Sequence, residues 1–174
     1  MPVPIYALDE DEPDIDELAY VAPDAVIIGR VTIGPEASVW PGAVLRGDHG
    51  TIRVGARTSV QDGTIVHTTA RSPTVIGDDC VIGHNAHLEG CVVERGCLIG
   101  SGSVTLNRVL VGAGSIVAAG AVLPEDFVVP PGSLVAGVPA TIKRSGVDTT
   151  WTERAVQNYI RTARHHKSGL RRLS

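Results

Sequence analysis

The sequence predicts an all-β solenoid, a parallel coil of very short strands with a C-terminal α-helix packed along it. Three observations carry that expectation. Aliphatic residues recur every six positions through most of the chain. Gly (20) and Pro (11) are abundant among 174 residues, whereas there are one Phe, two Trp and three Tyr, so small aliphatic side chains must build the interior. Near residue 150 the spacing of apolar residues changes from six to three and four.

The first run places Val21, Ile27, Ile33, Val39 and Leu45 at sixfold spacing. Two shorter runs in shifted phase come next, Val54, Val60 and Val66, then Ile76, Ile82 and Leu88, with residues 72 to 75 read as a small corner insertion. The last run is Val93, Ile99, Val111, Val117, Leu123, Val129 and Val135, with Thr105 in its one polar slot. An amphipathic helix needs apolar spacings of three and four, so a period of six argues against it. Six suits a short strand followed by a sharp bend, and three such units make one triangular turn. The aliphatic residue and the small fifth residue face inward, and Gly gives the corners their backbone freedom. The solenoid covers roughly residues 15 to 141.

After it, TWTERAVQNYIRTARHH predicts a helix over about 151 to 166, opened by a capping box from Thr150 to Glu153. Trp151, Ala155, Tyr159 and Ala163 stand at fourfold spacing, with Val156 and Ile160 alongside, as the face that packs on the prism. The organisation expected is a β-helix domain over 1–141 and a C-terminal helix with a basic tail over 142–174.

The formal net charge of −4 argues against general nucleic-acid binding. Seven of the 19 acidic residues fall within 9–17 and eight of the 15 Lys and Arg within 143–174, so the ends are expected to attract each other or a neighbouring chain. Otherwise the basic tail reads as a solvated face. No window approaches the ~18 uninterrupted apolar residues of a membrane span. The start, MPVPIYALDEDEP, lacks the basic flank and apolar run of a secretory signal, so a cytoplasmic protein with no membrane partner is expected. Cys80 and Cys97 take inward fifth places and Cys91 lies near a corner; with no CxxC pair, all three read as buried thiols.

The stretch IGHNAHLEG, residues 82 to 90, holds two histidines and a glutamate within six positions. Three repeats separate Val66 from Leu88, so Leu88 stacks over Val66 and Glu89 over His67, both just outside the core, at the ~4.8 Å spacing of neighbouring strands. His87 also points outward, and His84 occupies a corner. A stacked imidazole and carboxylate plus a corner histidine form a metal-site constellation that one prism does not easily close. Two copies would.

WPGAVLRGDHGTIRVGARTSVQDGTIVH resembles the signature region of the γ-class carbonic anhydrases and their ferripyochelin-binding-protein-like relatives. The matching residues are Arg46 and Asp48 of RGD, Gln61 and Asp62 of VQDG, His67 of VH and His84 of IGH. The resemblance implies a left-handed parallel β-helix, a homotrimer, and zinc at the subunit interfaces, with iron or cobalt as alternatives. In that family two histidines of one subunit and the corner histidine of the next hold the metal. Where the family has GHxxxxHG, this sequence has GHNAHLEG, so Glu89 stands at the third histidine's place and His87 two residues before it.

The metal-ligand candidates are therefore His67, Glu89 and a neighbouring copy's His84. The alternative puts His87 on the metal with Glu89 behind it as an acceptor. Gln61 and Asp62 are candidates for orienting a hydroxide or for tying adjacent coils together. Arg46 and Asp48 read first as an ion pair between subunits. The implied reaction is reversible hydration of carbon dioxide to bicarbonate. The charge of Glu89 is expected to weaken it, as is the lack of a carboxylate in the insertion TTARSP, where His49 becomes the candidate proton carrier. The rival readings are a non-enzymatic trimeric scaffold for a metal or small ligand and, third, a hexapeptide-repeat acyltransferase.

Overall fold

A period of six leaves room for two or three residues of strand before each bend, and most strands of the computed structural model are that short. It describes residues 3–173. The chain winds into a left-handed parallel β-helix of about seven turns with one helix at its C-terminal end. The strands are β1 (Ile5–Tyr6), β2 (Asp14–Ile15), β3 (Tyr20–Val21), β4 (Val26–Ile33), β5 (Ser38–Val39), β6 (Val44–Val54) and β7 (Ser59–Val60). They continue as β8 (Ile65–His67), β9 (Thr74–Ile76), β10 (Val81–Ile82), β11 (His87–Glu89), β12 (Val92–Val93), β13 (Leu98–Ile99) and β14 (Val104–Thr105). The last are β15 (Leu110–Val111), β16 (Ile116–Val117), β17 (Val122–Leu123), β18 (Val128–Val129), β19 (Ser133–Gly137) and β20 (Ala140–Ser145), followed by α1 (Thr150–Gly169).

From β1 to β19 each strand pairs in parallel with the one a full turn away, which builds three walls. One wall stacks β6, β8, β11, β14 and β17; a second stacks β6, β9, β12, β15 and β18; the third runs from β3 through β5, β7, β10, β13 and β16 to β19. β6 belongs to two walls because its first half pairs with β8 and its second with β9. The aliphatic residues of the sixfold runs fill the interior: Ile27, Leu45, Val66, Leu88 and Leu123 are all fully buried. Thr105 occupies the same column, equally buried, with its hydroxyl unpartnered.

Several expectations are corrected. Pairing begins before residue 15, since β1 and β2 already pair with β4. The insertion is the loop 68–73, and Thr74 and Val75, read as corner, belong to β9. Cys91 is not at a corner: it precedes the inward Val93 by two, the same inward place that Cys80 holds before Ile82, and it is completely buried. A hairpin of β19 and β20, turned through a cis Val138–Pro139 bond, closes the coil.

The helix also differs in detail. It starts at Thr150 without the capping box, because Thr149 is the N-cap and has helical dihedrals that make no side-chain cap. Instead, Asp148 Oδ1 accepts from the Thr150 N–H at 2.9 Å and its hydroxyl at 2.6 Å, and the Thr149 hydroxyl donates to Glu153. The buried stripe is Thr152, Ala155, Val156, Ile160 and Ala163, so Trp151 falls one residue off it and is 62% exposed.

α1 docks through rings and charge. Trp40 meets Tyr159 at 5.7 Å and His166 at 5.2 Å between ring centroids, and its indole N–H donates to Ser38 and Ser59. Arg164 pairs with Glu36, and the Lys167 ammonium donates to the carbonyls of Glu17 and Ala19. The basic end thus grips the first turns of its own chain. Among the described residues, no helix is long and apolar enough to cross a membrane.

Burial fixes the behaviour of the thiols. Cys80, Cys91 and Cys97 are free and fully buried, and burial pushes the Cys91 thiol up to about 12. A thiol-specific chromogenic disulfide reagent is expected to label none of the three at neutral pH in the native protein and all three in denaturant. Rapid native labelling would contradict this packing.

Candidate metal centre

The β6–β8–β11 wall sets the register of the polar side chains. β11 pairs with β8 so that His87 lies beside Ile65, Leu88 beside Val66 and Glu89 beside His67. β6 places Arg46 on the other side of His67. Because strand side chains alternate, Leu88 and Val66 point into the core and Glu89 and His67 point out. The predicted stacking of Glu89 over His67 is observed.

The contacts form an alternating chain of imidazoles and carboxylates. His67 Nε2 lies 3.0 Å from Asp48 Oδ1, and His67 Nδ1 lies 3.4 Å from Glu89 Oε1. Glu89 Oε2 is 3.3 Å from His87 Nε2. Arg46 pairs with Asp48 within the chain. Burial acts to raise the Asp48 pKa, but bonds from His67 and Arg46 outweigh it and hold the carboxyl down at about 2. Asp48 is therefore an anion under all ordinary conditions. His49 is close to this group, its Nε2 4.0 Å from Asp48 Oδ2 and its ring 6.1 Å from that of His67.

Two backbone features brace the pair. The buried Thr74 hydroxyl donates to the His67 carbonyl and accepts from the Gly90 N–H at 2.8 Å, tying the two rungs together at the site. Gly90 follows Glu89 with φ of +58°, and a Cβ there would run into the Asn107 side-chain oxygen. Glycine takes that bend without the strain or the contact that a side chain would bring.

His84, Gln61 and Asp62 lie along the corner between β10 and β11 and the rung beneath it. The Asn85 N–H donates to the Asp62 carbonyl, and His84 Nδ1 lies 2.9 Å from Asp62 Oδ2. The His84 side chain is about half exposed. Gln61 is 4% exposed, and its side chain meets the Tyr159 hydroxyl from α1. The phenol's pKa is raised by burial first and by the Asp62 charge second, with Gln61 acting the other way. One chain therefore gathers Arg46, Asp48, His67, Glu89 and His87 on a wall, and Gln61, Asp62 and His84 at a corner. Sequence reasoning did not find the Thr74 brace, since residues 72 to 75 read as a corner insertion and Thr74 lies instead in β9 with its hydroxyl buried.

Fold and site together define a class: a left-handed β-helix carrying an outward imidazole–carboxylate pair on one wall and a second imidazole on an adjoining corner. Residues 73–107 match the family described as bacterial transferase hexapeptide (six repeats). The chain is 37% identical over 167 residues to γ carbonic anhydrase 2, mitochondrial, of Arabidopsis thaliana, covering 91% of this chain and 60% of that protein. It is 33% identical over 166 residues to a carbonic anhydrase of Geobacillus kaustophilus, covering 94% of this chain and 91% of that one. A hexapeptide transferase family protein from Anaplasma phagocytophilum superposes with a TM-score of 0.89 at 37% identity, over 93% of this chain and 97% of that one. The chain belongs to the γ-class carbonic anhydrase family of hexapeptide-repeat proteins.

Replacing Thr74 by the near-isosteric Val removes both braces, leaving buried backbone groups of His67 and Gly90 unpartnered. The expected loss is about 1–3 kcal/mol of stability, read from denaturant unfolding at fixed protein concentration. An unchanged midpoint would mean that the brace contributes nothing.

Proposed function

We propose that the protein catalyses the reversible hydration of carbon dioxide at a metal shared between copies of a homotrimer. The observation that supports this most is the in-register pair of His67 and Glu89 on an outward wall, with His84 half exposed on the neighbouring corner. Zinc, iron and cobalt all accept imidazole and carboxylate donors, so these residues fit such a metal. Among the described residues, no three His, Cys, Asp or Glu side chains are arranged to hold a metal within one chain. A second copy is needed, and its His84 is the donor best placed to supply the missing contact.

When bound, the metal supplies Lewis acidity that makes a water nucleophilic near neutral pH. The chain's own residues do the rest. Gln61, beside Tyr159 and largely excluded from bulk solvent, presents an amide that orients the attacking water. Asp62 fixes the His84 ring through Nδ1, leaving Nε2 to face the neighbour. Arg46 holds Asp48, and Asp48 holds His67. His49, whose side chain is 65% exposed, stands between this group and solvent and carries the proton out. Three free, buried thiols suit a reducing compartment such as the cytoplasm.

The test is metal analysis of protein purified without chelators, paired with a carbon dioxide hydration assay and a measurement of oligomeric state. Stoichiometric metal, a trimer and hydration activity that falls roughly 10-fold or more in Gln61→Leu are expected. An anionic ligand lowers the acidity that two neutral imidazoles leave intact, so Glu89→His is expected to raise kcat. Metal without activity would leave a binding scaffold, and acyl-CoA turnover would make the protein a transferase; either outcome overturns the proposal.

A further inference from the structure

Two residues of β11 compete for one place on the metal, and the strand register separates them. Resting on the metal reading above, we propose that Glu89 is the ligand and that His87 is a positioning residue that holds the far oxygen of Glu89. His67 and Glu89 are direct lateral partners, with Arg46 next in the same outward column. His87 belongs to the other outward column, beside Ile65, with Val44 and Val104 as the next members on either side. That column offers His87 only aliphatic neighbours. Of the two, Glu89 is therefore the side chain that would hold a metal together with His67.

The contacts agree with the register. Glu89 turns one oxygen to His67 at 3.4 Å and the other to His87 at 3.3 Å, so His87 is joined to His67 through the carboxylate. A carboxylate has lone pairs enough to serve a metal with one oxygen and accept an imidazole N–H with the other. His87 is also the more exposed of the two imidazoles, with 35% of its side chain open against 14% for His67. The relation inverts the usual outer-sphere pattern, in which a carboxylate backs a ligating histidine: here an imidazole backs a ligating carboxylate. The donor set becomes two imidazoles and one carboxylate, with His87 confining Glu89 to one rotamer.

The experiment measures zinc affinity of the full-length protein by chelator competition, together with the visible spectrum of its cobalt(II) form, in the wild type, Glu89→Gln, His87→Gln and His87→Leu. Glu89→Gln is expected to weaken zinc binding roughly 100-fold or more and to alter the cobalt bands. His87→Leu is expected to weaken binding about 10-fold with the band positions kept, the range of an outer-sphere loss. His87→Gln keeps an N–H donor at similar reach and is expected to stay within about threefold of wild type. That rescue separates positioning from a merely structural role.

If His87→Gln and His87→Leu both lost metal while Glu89→Gln kept it, His87 would be the ligand and the assignment would be wrong. Equal, small effects in all three would remove both residues from the metal and overturn it too. A wild type that bound no stoichiometric zinc or cobalt would instead sink the metal reading itself, and that failure is visible before any variant is made.

Discussion

The structure depends on one constraint: each strand of the coil must hydrogen-bond in parallel and in register with the strand a full turn away, up to the antiparallel β19–β20 hairpin that closes it. In such a stack like positions lie over like, so a side chain's neighbours are set by its place in the repeat and not by its neighbours in the chain. The core follows directly. Leu88 lies over Val66 and Ile82 over Val60 because the backbone ladder puts them there, and aliphatic residues at those places satisfy the interior of each wall. A single-residue slip would turn the whole aliphatic column outward, which protects the register strongly.

The same constraint assembles the polar wall. His67 and Glu89 are 22 positions apart, an odd distance for a sixfold repeat, and they meet only because the loop 68–73 absorbs four extra residues without disturbing the ladder. Thr74 restores phase at the loop's exit and spends its hydroxyl on the backbone of the site. A flexible loop beside a functional pair would ordinarily blur its geometry; here the return strand pins it. Asp48 reaches the pair by a related device, since the long strand β6 carries extra residues over a corner and brings the RGD segment alongside His67.

The C-terminal helix does more than cover a wall. Its aromatic contact with Trp40 and its cationic grip on Glu36, Glu17 and Ala19 join the chain's two ends, while Tyr159 reaches the side chain of Gln61. The helix thereby packs against the rung beneath the corner that carries His84. The chain spans 60% of the length of the Arabidopsis relative.

Much of this was legible in the residues. The period of six gave the coil, the count from Val66 to Leu88 gave the stacking of Glu89 on His67, and the shift to a helical spacing near 150 gave α1. Those features are periodic, and periodicity survives in one dimension. What the sequence left open was decided by contacts between distant segments: the Thr74 brace, the closure of Arg46 on Asp48 inside one chain, the outward turn of Trp151, and the inward place of Cys91. The contact of Glu89 with both imidazoles belongs to the same set. Glu89 and His87 are both polar, outward and two residues apart, and counting repeats already stacks Glu89 on His67; what each side chain touches depends on rotamers and lateral pairing, which turn Glu89 to both imidazoles and set His87 beside Ile65.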